Sequence, residues 1–122
     1  MDKISVIVPC YNEEKVIDMF YNELVKSVEN VAAEFEFLFV ADGSRDKTYE
    51  KLTTLAGGDW RVRYISFSKN FGKEAAMLAG FNYASGKYIV VMDADLQHPP
   101  ALIPKMYANV PRHMRRLAMN AP

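Results

Sequence analysis

Four short apolar runs, "ISVIVP" (4–9), "FEFLFVA" (35–41), "VRYISF" (62–67) and "YIVVM" (88–92), are rich in β-branched and aromatic residues and are separated by three amphipathic stretches. This alternation constrains the fold more than any other feature. Short runs of this composition read as strands, and strands that alternate with helices pair in parallel through right-handed crossovers. Nearly continuous apolar strands also require cover on both faces. The expected fold class is therefore α/β: an open, mostly parallel sheet with helices on both faces.

The intervening stretches carry helix signals. Val16, Ile17, Phe20, Leu24, Val25 and Val28 recur at helical spacing, with Asn12 as the expected N-cap and Glu13 and Glu14 in or near the first turn. A second helix is expected from about Asp46 to Ala56, capped by Ser44, with Leu52 and Leu55 inward and Gly57 and Gly58 as its stop. The third spans about Lys73 to Ala84, and its Ala75, Ala76, Ala79 and Gly80 allow close approach to the sheet. A last helical stretch is expected near Leu102 to Ala108, and Pro111 interrupts it. Residues 1–108 read as one domain, while 109–122 form an atypical tail with no core-facing pattern and the composition of a disordered end.

The chain has 122 residues with 15 basic and 15 acidic side chains, so no bulk attraction to nucleic acid is expected. Residues 1–50 hold eleven acids against five bases, and Arg112, Arg115 and Arg116 lie near the end. The single cysteine, Cys10, has no partner within the chain, in keeping with a reducing compartment. No apolar run approaches the ~20 residues of a membrane span, so a soluble, cytoplasmic chain is expected.

Every polar cluster follows a strand: "PCYNEE", "ADGSRD", "SKNFGKE" and "DADLQHPP". In open parallel sheets ligands bind beyond the carboxyl ends of the strands, so these four loops should converge on one site. Asp93 and Asp95, spaced as Asp-x-Asp, suit a hard divalent cation such as Mg²⁺ or Mn²⁺ that leaves positions for substrate phosphates. Asp42 could accept hydrogen bonds from a base or ribose, and Tyr11 could lie against a base. The chain lacks G-x-G-x-x-G after its first strand and lacks G-x-x-x-x-G-K-[ST], which argues against dinucleotide oxidoreductases and P-loop nucleotidases. Acidic loops with a cation point instead to a sugar nucleotide.

Through "VIVPCYNEE", "ADGSRDKT", "SFSKNFGKEAAMLAGFNYASG" and "VVMDADLQHPPALIPKM", in order and spacing over residues 4 to about 106, the chain resembles the N-terminal part of a family 2 glycosyltransferase. It most resembles the polyprenyl-phosphate group, which includes dolichol-phosphate mannosyltransferases and bactoprenol glucosyltransferases. The resemblance implies a GT-A type nucleotide-sugar fold and inverting, metal-dependent transfer of a hexose from a UDP- or GDP-sugar to a polyprenyl phosphate at the cytoplasmic face of the membrane. It places Pro9, Tyr11, Asn12 and Glu13 in the nucleotide pocket and Asp42 at the base or ribose. Asp93, Ala94 and Asp95 would approach ribose, diphosphate and metal, with Gln97 toward the sugar or acceptor.

Two departures from the family pattern stand out. Ala41 replaces the first of two aspartates usual before Gly-Ser, and after "LIPKM" the expected acceptor-side half, which would carry the catalytic base, does not follow. The alternative is a truncated, non-catalytic remnant that at most binds nucleotide and metal. The open edge of such a half-sheet could be covered by a second copy of the chain, forming a homo-oligomer.

Overall fold

In a computed structural model of the chain, which describes residues 1–95, 99–109 and 119–120, all strands of one five-stranded sheet run parallel. The strands are β1 (Lys3–Cys10), β2 (Glu34–Ala41), β3 (Val62–Ser66), β4 (Tyr88–Val91) and β5 (Met119–Asn120), in the order β3-β2-β1-β4-β5. The helices are α1 (Ile17–Val28), α2 (Thr48–Gly58), α3 (Lys73–Tyr83) and α4 (Leu102–Asn109). All four apolar runs are strands, as their composition requires. No helix among the described residues is long and apolar enough to cross a membrane.

Strand order decides where the helices lie. From β1 the chain steps outward through β2 to β3, then returns to the far side of β1 to form β4. Right-handed crossovers in opposite directions put their helices on opposite faces. Accordingly Phe20 and Leu24 of α1 and Leu52 of α2 pack on Ile4, Val6, Val8, Phe37 and Phe39, and Ile103 of α4 joins the same cluster beside α1. On the other face, Ala76 of α3 joins Ile7, Val40 and Val91. Phe20 and Phe39 meet edge-on with ring centroids 6.3 Å apart, and each buried ring contributes about 2–3 kcal/mol of apolar burial.

Helix α3 lies against the sheet because its inner face is small. A Cβ on Gly80 would stand 2.4 Å from Cγ2 of Ile7, so even alanine there would push the helix away. The reversal of direction at β1 also opens a crevice between the carboxyl ends of β1 and β4, the place where ligands bind in sheets of this kind.

Two helix starts differ from the sequence expectation. Helix α1 begins at Ile17, not after Asn12, and residues 13–16 form a turn in which the amides of Val16 and Ile17 donate to the Glu13 carbonyl. Asn12 adopts a left-handed φ of 52°, and its side chain serves another loop instead of capping the helix. Helix α2 begins at Thr48, and Ser44 does not cap it. The Asp46 carboxylate accepts from the Thr48 amide at 3.0 Å and from the Thr48 hydroxyl at 2.6 Å. Gly57 and Gly58 close the helix from within, as its last residues.

At the amino edge of the sheet, on the α3 face, Glu36 is only 3% exposed. The Ser5 hydroxyl donates to it at 2.6 Å and the Ser85 amide at 3.0 Å, and Arg63 forms an ion pair with it. Burial raises its carboxyl, but these donors and the charge of Lys3 outweigh that and hold it below its usual value. This node ties the α3–β4 connection to β1, β2 and β3.

Candidate active site

The β1–α1 and β2–α2 loops are sewn together at the carboxyl edge. The Asn12 amide donates to Ser44 Oγ at 3.1 Å, Asn12 Oδ1 accepts from the Arg45 amide at 2.8 Å, and the Glu13 amide donates to Thr48 Oγ1 at 2.8 Å. The Glu14 amide adds a fourth link to Asp46 Oδ2 at 3.2 Å. Asparagine tolerates the left-handed backbone better than most residues, which explains its presence at this corner.

A second clamp joins the β2–α2 loop to the β3–α3 loop. Asp42, 4% exposed, accepts from the Phe71 amide at 2.8 Å, the Gly72 amide at 2.9 Å and Asn70 Nδ2 at 3.2 Å. Two carboxylate oxygens offer about four acceptor positions, so three are used to shape the 70–72 turn and about one remains for a ligand. Gly43 makes the approach feasible. Its φ is +71°, and a Cβ would stand 2.2 Å from the carbonyl carbon of Lys69.

These clamps frame a cleft of about 430 Å³ lined by Pro9, Cys10, Tyr11, Glu13, Asp42, Asn70, Gly72, Lys73, Asp93 and Asp95. All four strand-end loops contribute to it. Of the residues singled out from sequence, Pro9, Tyr11, Glu13, Asp42, Asp93 and Asp95 share this wall. Asn12 stands behind it as a cross-link between loops, and the Ala94 side chain is buried in the core beneath it. Gln97 lies outside the described residues. Cys10, Asn70, Gly72 and Lys73 are additional wall residues. The "SKNFGKE" loop was legible as a strand-end cluster, yet nothing in its sequence says which of its side chains turn inward.

The electrostatics of the cleft are one-sided. The carboxyl of Glu13 is pushed up by burial first, then by the charges of Asp95, Asp46 and Asp93. Burial, followed by Glu13 and Asp93, likewise raises the Cys10 thiol well above its usual value and keeps it protonated. Lys73, on the first turn of α3, pairs with Asp93 at 2.8 Å. The donors are hard carboxylate oxygens with excess negative charge, which fits a divalent cation. Among the described residues no three His, Cys, Asp or Glu side chains converge closely enough to enclose an ion. Mg²⁺ needs no such cage, since it is held by one or two carboxylates together with waters and substrate phosphates.

A parallel α/β sheet of this order, with a cleft at its topological switch point, is shared with solved GT-A glycosyltransferases. The chain resembles Staphylococcus aureus TarS 1–349 in complex with UDP-GlcNAc, with a TM-score of 0.62 and 29% identity over 76% of this chain and 26% of that one. It shares the fold of the Pyrobaculum calidifontis mannosyltransferase solved with GDP-Man and Mn²⁺, with a TM-score of 0.69 and 24% identity over 77% of this chain and 28% of that one. The family model for glycosyl transferase family 2 matches residues 5–119, and the chain belongs to that family. It is 48% identical over 100 residues to the putative glycosyltransferase CsbB of Bacillus subtilis, covering 82% of this chain and 30% of the relative. It is 42% identical over 104 residues to the bactoprenol glucosyl transferase of Shigella phage SfV, covering 85% and 34% respectively. The chain thus spans about a third of the length of these relatives.

Proposed function

We propose that the cleft is the donor site of an inverting glycosyltransferase that moves a hexose from a UDP- or GDP-sugar to a polyprenyl phosphate at the cytoplasmic face of a membrane. The observation that carries this reading is the meeting of all four strand-end loops around Tyr11, Glu13, Asp42, Asp93 and Asp95. The names of the bactoprenol glucosyl transferases among its relatives support the acceptor class.

Each residue has a role in keeping with its position. Tyr11, 43% exposed at the mouth, offers a ring face to the base. Asp42 holds the Asn70–Gly72 wall and has an acceptor position left for a base N–H or ribose hydroxyl. Asp93 and Asp95 would hold a Mg²⁺ or Mn²⁺ ion, which when bound neutralises the donor's diphosphate as a leaving group. The acceptor's phosphate oxygen is already anionic near neutral pH. It attacks the anomeric carbon, the bond to the diphosphate oxygen breaks with its electron pair, and less proton abstraction is needed than for a sugar hydroxyl. The site's main task is therefore electrostatic, at the leaving group.

Calorimetric titration with UDP and GDP, with and without Mn²⁺, tests donor binding, and transfer of labelled hexose to undecaprenyl phosphate tests the reaction. Cation-dependent nucleotide binding supports the donor assignment. Binding without transfer favours the second reading, a nucleotide- and metal-binding unit, whereas no binding of either nucleotide contradicts both.

A further inference from the structure

Lys73 is the cationic side chain on the wall of an otherwise acidic cleft, among the described residues. Its ammonium lies 2.8 Å from Asp93 Oδ2, while the lysine side chain as a whole is 57% exposed. The bond joins α3 to the exit of β4, across the crevice in which a ligand would sit. An ammonium there occupies a carboxylate oxygen that a cation would need. A long, exposed side chain can also swing away at small cost, because solvent-exposed ion pairs are weak.

Resting on the donor-site reading above, we propose that Lys73 is a displaceable counter-ion. It neutralises Asp93 in the cation-free cleft, yields that carboxylate when the divalent cation enters, and then donates to the diphosphate of the sugar nucleotide. Three features favour this second position. Lys73 stands at the first residue of α3, where the helix dipole favours anions. The Asp42 clamp on the Phe71 and Gly72 amides fixes the turn that launches it. Its stem and the aspartates share one cleft, so a diphosphate bridging the cation falls within its reach. Cation and nucleotide would then bind cooperatively, with Lys73 opposing the first and assisting the second.

Calorimetry on the whole chain tests the proposal with Mn²⁺ alone and with UDP or GDP in saturating Mn²⁺, comparing wild type with Lys73→Met and Lys73→Arg. Removing the competing ammonium should tighten Mn²⁺ binding roughly fivefold in Lys73→Met. The same variant should lose roughly tenfold in nucleoside diphosphate affinity, because a charge-assisted hydrogen bond is gone. Lys73→Arg keeps the charge and should stay near wild type in both titrations, and affinity for the nucleoside without phosphates should not change. Unchanged or weaker Mn²⁺ binding in Lys73→Met overturns the proposal, as does the absence of Mn²⁺ binding from both proteins. A purely structural lysine would show only a lowered melting temperature. If wild type binds neither nucleotide in Mn²⁺, the donor-site reading itself fails, which is a different result from an insensitive Lys73→Met.

Discussion

The two edges of the sheet both carry carboxylates and treat them in opposite ways. At the amino edge Glu36 is buried and surrounded by donors, with the Ser5 hydroxyl, the Ser85 amide and the Arg63 guanidinium directed at it. At the carboxyl edge Glu13, Asp93 and Asp95 face one cleft, and burial together with their mutual repulsion raises the Glu13 carboxyl. A charge that serves the fold is satisfied from within the chain, because an unpaired buried charge is costly. In the cleft the acidic side chains outnumber the cations that line it, and Lys73 pairs with Asp93.

The largest effect that would sharpen this contrast is expected at Asp95. Asp95→Ala should weaken cation-assisted nucleotide binding roughly 100-fold, since losing a direct ligand costs a metal site at least as much as losing a residue that only supports one, while leaving the melting temperature nearly unchanged, because the residue is exposed. Calorimetry and thermal unfolding read the two properties separately, and unaltered affinity would break the comparison. Glu36→Ala should do the reverse. Arg63 keeps access to water, so the loss of stability should be about 2 kcal/mol, below the cost of breaking a fully buried pair, and denaturant titration would measure it.

Smaller changes follow at the clamp and the mouth. Asp42→Ala strands the donors of Asn70, Phe71 and Gly72 beside solvent, a cost of about 1 kcal/mol, and hydrogen exchange at the Phe71 and Gly72 amides should accelerate. Slow exchange there would mean that the turn shapes itself. Tyr11→Ala should weaken metal-free nucleotide binding by about 1 kcal/mol if the ring meets the base, and equal affinity would deny that contact.

The acid limb of stability tests the amino edge independently. The Glu36 carboxyl lies below its usual 4.5 in the fold, so its contribution is complete above about that pH and is lost as pH falls through the lower folded-state value. Glu36→Gln should flatten this limb, which urea unfolding between neutral and acidic pH would show.

The first four strands were legible in the sequence because each is a dense apolar run, whereas β5, two residues within the 109–122 tail, was not; the small face of α3 was legible because close packing leaves no room for larger residues. The starts of α1 and α2 were not. Capping signals are local, whereas Asn12 and Ser44 spend their side chains on each other's loops, a tertiary use that no window of sequence contains. In the cleft the acids announced themselves by following strands. Lys73 and Asn70 did not, since their inward placement depends on Asp42 and Gly43 two loops away. Glu36 was detectable in principle as a lone charge within "FEFLFVA", and its meaning came only with the partners brought from β1, β3 and the α3–β4 connection.

In the donor-site reading, ligand chemistry belongs to the carboxyl edge alone. Amide chemical shifts recorded on the labelled chain during titration with UDP or GDP and Mg²⁺ test it most directly. Saturable shifts are expected at Tyr11, Glu13, Gly72, Lys73, Asp93 and Asp95, with Ser5, Glu36 and Ser85 unmoved. Shifts confined to the amino edge, or none anywhere on the chain with either nucleotide, would contradict it.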